Sequence, residues 1–238
     1  MSEKFLRCEM LLGASAMERL RGSHVAVLGL GGVGSWCAEA LARSGVGELT
    51  LVDQDTVGES NINRQLCATA ATVGRPKAEV MAERLHQIDP DLCLHPRVAR
   101  YAAESREEFF DTKYDYIVDA IDLVANKVDL ICTALERGIP IISALGTGNK
   151  RDAERLCITD ISKTSGCPLA RVVRKELRAR GINHLKVVFS AEEAMEATQT
   201  EAPPPGRRSV PGSLVWVPAT AGMLLAGAVV EDLIKEKD

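Results

Sequence analysis

Short unbroken apolar runs alternate along this chain with stretches in which apolar residues return at helical spacing. Residues 25–28, 49–53, 114–121 and 140–144 are runs of the first kind and read as strands buried on both faces. Behind Gly34 the period becomes helical, with Trp36, Ala40 and Leu41 on the apolar side, and residues 77–88 and 125–137 repeat it. Pro76 stands where a first helical residue belongs, and Gly138 closes the later helix. Residues 92–98 predict a further strand and 105–110 a short helix capped by Ser105. This β-α-β rhythm predicts a mainly parallel sheet with helices on both faces.

The flanks differ. Residues 3–12 and 14–20 predict two short helices divided at Gly13, with Phe5, Met10, Leu11 and Leu12 apolar and Arg7 projecting. Beyond residue 144, strands at 156–161 and 185–189 bracket a helix at 168–180, and a last strand (214–217) and helix (220–235) follow. Residues 195–212 hold Thr, Gln, Pro, Gly and Arg with little apolar content, and read as a mobile loop. The most apolar run, 214–230, is interrupted by Pro218, Gly222 and Gly227, and reads as a core helix rather than a membrane span. Nothing severs the chain, so residues 1–238 are expected to form a single domain around a core at 25–144.

Between the first strand and its helix the glycines keep the G-x-G-x-x-G spacing at Gly29, Gly31 and Gly34, with Gly32 between them. That spacing permits a tight turn, close backbone approach to a phosphate and close helix–strand packing. The helix start behind it presents N–H groups and a positive dipole end to an anion. Asp53 ends the second strand, placed to hold a ribose hydroxyl. A nucleotide belongs here, and the fold expected is α/β and Rossmann-like, extended by the C-terminal strands.

Three more residues bear on which nucleotide. Lys77 sits in a first helical turn, where a cation meets the positive end of the macrodipole; a bound polyphosphate reverses that sign, and a solvated surface lysine is the alternative. Arg64, in a polar loop with Asn61 and Asn63, is either a surface arginine or a bidentate phosphate clamp. Asp122 follows a strand at its carboxyl end and is placed to hold Mg²⁺, with Asp119 as its rival. A glycine turn with Arg, Lys and Asp describes a triphosphate site better than a hydride-transfer site.

The net charge of −4 gives no global reason to expect nucleic acid or an anionic membrane. Residues 1–13 lack the basic-then-apolar order of a signal peptide. The seven cysteines are scattered without a C-x-x-C pair, which speaks against a zinc knuckle and for free thiols in a reducing cytoplasm. Cys167, ahead of Pro168 at a helix start, is where a dipole lowers a thiol's pKa.

The segments GLGGVGSWCAEALARSGVGELTLVDQD, SNINRQ, VGRPKAEV and VDAID resemble the adenylating superfamily of ubiquitin-activating enzymes, MoeB, ThiF and HesA. RCEMLLG, CPLARVVRKELRARGI and GSLVWVPATAGMLLAGAVVEDLI extend the likeness toward the branch of tRNA threonylcarbamoyladenosine dehydratases, which use ATP to cyclise a threonylcarbamoyl group on tRNA. The resemblance implies that Gly31 lies against the nucleotide and that Asp53 holds the ribose. It further implies that Asn61, Arg64 and Lys77 bind phosphates and that Asp122 positions Mg²⁺. Arg7 would act as an arginine finger in a partner subunit's site, which implies a homodimer; a sulfurtransferase-type partner is also allowed. Activation of a ubiquitin-like sulfur carrier is the second reading. The two C-x-x-C pairs typical of MoeB and ThiF are missing, which favours the tRNA branch. A nicotinamide-dependent dehydrogenase leaves Arg64, Lys77 and Asp122 without a task, and the intact phosphate set argues against a non-catalytic nucleotide sensor.

A tRNA substrate calls for a basic footprint. Arg171, Arg174, Lys175 and Arg178 recur at helical spacing with Glu176 off their line, and form either an RNA-binding stripe or a solvated face. Arg207 and Arg208 stand ready to join it from the loop.

Overall fold

The computed structural model describes residues 3–198 and 210–235. A 3-10 turn over Glu3–Phe5 leads into α1 (Leu6–Leu12) and α2 (Ala14–Arg21), parted at Gly13. Then come β1 (His24–Leu28), α3 (Gly34–Arg43), β2 (Glu48–Val52), α4 (Lys77–Ile88), β3 (Cys93–Arg97), α5 (Arg106–Phe109) and β4 (Tyr116–Asp119). The chain continues through α6 (Val124–Glu136), β5 (Ile141–Ala144), β6 (Leu156–Asp160), α7 (Pro168–Ala179), β7 (Lys186–Ser190) and α8 (Trp216–Leu233). Among the described residues the seven strands form one sheet in the order β3-β2-β1-β4-β5-β7-β6. Every pairing is parallel except that β6 runs against β7. The fold is α/β and Rossmann-like, with β7 and β6 as the C-terminal extension.

Alternate residues of each strand feed opposite layers, which is why the central strands read as unbroken apolar runs. Val25, Val27, Leu49 and Leu51 share a core with α3, α4 and α8, whereas Ala26, Leu28 and Ile117 share one with α6 and α7. On α3 the buried apolar side is Cys37, Ala38, Leu41 and Ala42. Trp36 and Ala40, expected on that side, are only half-buried; Trp36 lies beside α8, where a Cβ on Gly222 would stand 2.9 Å from its own.

Two expectations fail locally. Residues 214–217 do not form a strand; α8 begins at Trp216, and Pro218 is tolerated in its first turn, where no intrahelical N–H bond is lost. Ser105 does not cap α5, because its hydroxyl turns back to the Ala102 carbonyl at 3.4 Å. Residues on either flank of the segment expected to be a mobile loop, 195–212, bond to Asn149. Met195 N–H donates to its carbonyl at 2.8 Å, and the Gly212 carbonyl accepts from its N–H at 2.7 Å. Residues 199–209, with Arg207 and Arg208, lie outside the described residues.

By length and composition α8 is the one helix among the described residues able to cross a membrane. Its place is against α3, so closely that a Cβ on Gly222 would stand 2.5 Å from the Val33 carbonyl oxygen.

At the sheet's centre, Lys127 of α6 is fully buried and donates to Asp119 Oδ2 at 2.7 Å, Ser143 Oγ at 3.1 Å and the Ala144 carbonyl at 2.9 Å. Ser143 Oγ donates to the same Asp119 oxygen at 2.6 Å. Each charge is desolvated and fully partnered, so removing one leaves the other stranded. Lys127→Met should therefore lower stability by about 3–5 kcal/mol, read as an earlier urea midpoint. A drop no greater than that of an exposed lysine would show that the network is not a structural pair.

Candidate functional site

The strand order reverses between β1 and β4, and the carboxyl ends of these strands frame the crevice where open α/β sheets hold ligands. Gly29 leaves β1 with φ +92°, and a Cβ there would stand 2.6 Å from the Ala120 carbonyl oxygen. A Cβ on Gly34 would fall 1.8 Å from the Gly29 oxygen, so the turn closes only with glycine at both places. At Gly31 the surroundings open: a Cβ would meet only Gln65 Nε2, at 3.9 Å. Gln65 is buried and its Oε1 has no hydrogen-bond partner, an uncommon state for a buried polar atom. A cradle without side chains beside an unmatched amide oxygen suits a polar ligand.

Asp53 serves two purposes. Its Oδ2 accepts the Leu30 N–H at 2.7 Å and its Oδ1 the Asp55 N–H at 2.8 Å, which fixes the glycine turn to the end of β2. Each oxygen keeps a lone pair for a hydroxyl. Burial pushes its pKa up, while Lys77 and the two backbone donors pull it back toward the carboxylate.

Residues 59–66 are held over the first turn of α3. Ser35 Oγ accepts the Leu66 N–H at 3.1 Å, and Trp36 Nε1 donates to the Arg64 carbonyl at 3.1 Å. Arg64 is thereby set beside the turn, with its Cγ 3.5 Å from where a Cβ of Gly32 would be. Its Nη1 donates to the Ser60 carbonyl at 2.9 Å and Asn63 Oδ1 at 2.8 Å. Among the described residues no carboxylate pairs with this guanidinium, and burial pushes its pKa down. Asn61 Oδ1 accepts the Gly58 N–H at 3.0 Å and so builds the loop, leaving Nδ2 as its outward donor. Asn63 Nδ2 reaches across to the Ser213 carbonyl at 3.0 Å.

Lys77, the first residue of α4, is 5% exposed, so the surface-lysine alternative falls. Its partner is Asp55, at 3.1 Å, a residue that sequence reasoning passes over along with Gln65. Asp55 has a signal, an acid two residues past Asp53; Gln65 has none beyond its place in the loop. Of the two acids weighed for a metal, Asp119 is committed to Lys127 beneath the surface, whereas Asp122, two residues past Ala120, is exposed. The glycine turn, Asp53, Arg64, Gln65 and Lys77 thus gather at the carboxyl ends of β1 and β2, and Asp122 follows the carboxyl end of the neighbouring β4.

Arg7 does not join them within the chain. The neighbouring Cys8 Sγ lies 3.8 Å from the carbonyl oxygen of Arg43, at the far end of α3. The ten residues of α3 span about 15 Å at 1.5 Å each. Cys167 is buried with its sulfur accepting the Ala170 N–H at 3.5 Å, and stands closed to a substrate. Of the basic stripe on α7, Arg171, Lys175 and Arg178 are exposed. Arg174 is half-buried and bonds the Thr164 carbonyl at 2.7 Å, so its charge holds the fold together.

The ThiF family model matches residues 6–235. The chain is 43% identical over 245 residues to a tRNA threonylcarbamoyladenosine dehydratase of Bacillus subtilis, covering 99% of this chain and 96% of that protein. It superposes on the Escherichia coli tRNA N6-threonylcarbamoyladenosine dehydratase solved with ATP, with a TM-score of 0.88 at 33% identity, across 97% of this chain and 93% of that one. Likeness to the Escherichia coli sulfur carrier protein ThiS adenylyltransferase is 33% over 141 residues, covering 58% of this chain and 56% of that protein. Matched by the family model over nearly its full length, this chain belongs to the ThiF family.

Proposed function

We infer that this chain is an ATP-dependent tRNA threonylcarbamoyladenosine dehydratase, which adenylates the threonyl carboxylate of the modified tRNA and cyclises it. The observation that carries the reading is the convergence on a glycine cradle of a buried lysine and an arginine that, among the described residues, no carboxylate neutralises. A triphosphate calls for both, and a hydride-transfer site for neither. The near full-length likeness to a dehydratase, against the partial likeness to a sulfur-carrier adenylyltransferase, favours the tRNA substrate.

A carboxylate oxygen of the substrate attacks the α-phosphorus of ATP, and pyrophosphate leaves. Both reactants are anionic, so the site's task is to offset charge in place. Arg64 and Lys77 supply fixed cations, and the first turn of α3 supplies oriented N–H groups. Asp53 orients the nucleoside through its ribose. The exposed carboxylate of Asp122 fits Mg²⁺, which such sites hold by one or two carboxylates plus phosphate oxygens and which would neutralise charge on the leaving pyrophosphate. The carbamoyl oxygen or nitrogen then attacks the activated carbonyl within the same molecule. AMP departs with the former carboxylate oxygen, a proton is lost, and proximity supplies most of the acceleration.

Three further elements belong to this reading. α1 carries no buried residue and exposes Leu6, Met10 and Leu11 beside Arg7, which supports a homodimer in which Arg7 enters the partner's site. Arg171, Lys175 and Arg178 offer a basic face to the tRNA backbone. The free state of all seven cysteines supports a reducing, cytoplasmic setting. We assign no surface to the sulfurtransferase-type partner that the resemblance allows.

The direct test is cyclisation of tRNA bearing the threonylcarbamoyl group, run beside ATP–pyrophosphate exchange with a sulfur carrier. Wild-type protein should cyclise the tRNA, and Asp122→Asn should abolish pyrophosphate release while retaining the wild-type melting profile. Turnover of the sulfur carrier alone would replace the dehydratase reading with the second one.

Mixing an Arg7→Ala chain with a Lys77→Ala chain should restore activity, since one of the two mixed sites then holds both native residues. Mixtures no more active than the separate variants would remove Arg7 from the partner's site.

Reversal of Arg171, Lys175 and Arg178 to Glu should weaken tRNA binding and flatten its salt dependence. The slope of log affinity against log salt should fall by about 0.7–0.9 for each phosphate the protein no longer neutralises. Adding Arg174→Glu should instead cost stability. Unchanged cyclisation at subsaturating tRNA would reduce the stripe to a solvated face.

A further inference from the structure

The opposite end of the sheet holds a second cluster that adenylation does not use. His24 opens β1, Glu48 opens β2 and Cys93 opens β3; His24 pairs with Glu48 and Glu48 with Cys93 in the parallel register. His95, two residues past Cys93, falls on the same face one pleat further along. Three side chains converge from three adjacent strands. His24 Nδ1 stands 3.4 Å from Glu48 Oε1, and His95 Nε2 stands 2.7 Å from the same oxygen. One ligand atom from each residue lies within 4.8 Å of the others. The Cys93 thiol is a further 3.4 Å from His95 Nε2.

We propose that His24, Glu48 and His95 form a zinc site that ties together the amino ends of β1, β2 and β3, with the fourth position left to water; Cys93 stands near His95 but outside the cluster. Imidazole, carboxylate and thiolate are the donors zinc takes, and bonds of about 2.0–2.1 Å in tetrahedral geometry set ligand atoms about 3.4 Å apart. The His24–Glu48 separation has that value, and the 2.7 Å between His95 and Glu48 is a hydrogen-bond distance that a bound ion would widen. His24 is 5% exposed and packs edge-on against Tyr114, which fixes its ring. Its Nε2 is 2.8 Å from Thr50 Oγ1. In the tautomer whose Nε2–H donates to Thr50 Oγ1, the Nδ1 lone pair faces a carboxylate oxygen, an arrangement that a cation between them relieves. Such an outer partner for the second ring nitrogen is the usual support of a metal-bound histidine. Among the described residues the ion pairs of Glu48 are with these two imidazoles, and no lysine or arginine pairs with it. The bland alternative is a histidine–carboxylate cluster that shares protons and binds no metal.

The test uses full-length protein stripped with a chelator and dialysed against zinc chloride, with bound metal counted by mass spectrometry. One zinc per chain is expected, with a rise in melting temperature. His95→Ala, at an exposed position, and Glu48→Gln should each weaken binding at least tenfold and abolish that rise. Their stabilisation by ATP should be unchanged, because the nucleotide crevice lies at the other end of the strands; this also certifies that the variants fold. Absence of stoichiometric zinc, or zinc held equally by wild type and both variants, would overturn the proposal.

Discussion

The approach of the glycine turn to the end of β4 governs the layout of this molecule. Gly29 meets the Ala120 carbonyl and Gly34 meets Gly29 at separations that no Cβ survives. β1, α3 and the residues after β4 are therefore locked to one another within a few ångströms. From that junction the rest follows: Ser35 and Trp36, in the first turn of α3, anchor the loop that carries Arg64. The Leu30 amide anchors Asp53, and the β4 end sets out Asp122. A methyl group added at the junction would move every one of these side chains together.

Beneath this junction lies the buried Lys127–Asp119–Ser143 network, which joins α6, β4 and β5. Two acids three residues apart on this strand end thus have different surroundings. The first is spent on the architecture and the second faces the solvent. A desolvated pair is a poor source of net stability and a strict specifier of arrangement, and here it fixes the floor on which the nucleotide crevice rests.

Much of this is legible in the sequence because the signals are local. The parallel strands announce themselves as apolar runs, and the helix at 77–88 is bounded in the sequence where the structure bounds it. The glycine spacing names the crevice, and Lys77 stands out because it opposes a helix dipole. The failures share a different cause. Pro218 reads as ending a strand when it begins a helix, since only packing on α3 decides between them. Sequence alone cannot assign Asp119, because its partner lies on the helix that follows, and Arg174 sits in a stripe whose other members are exposed. α3 likewise packs on α8, almost the whole chain away. Gln65 and Asp55 acquire meaning only when the loop is folded back over the turn.

At the far end of α3, α1 buries none of its residues. The fully buried core draws on none of that helix. If Arg7 completes a neighbour's site, folding and competence separate: dilution would leave every molecule intact yet silence it, and specific activity would rise with enzyme concentration until association saturates. Turnover would then answer to mass action between copies as well as to substrate.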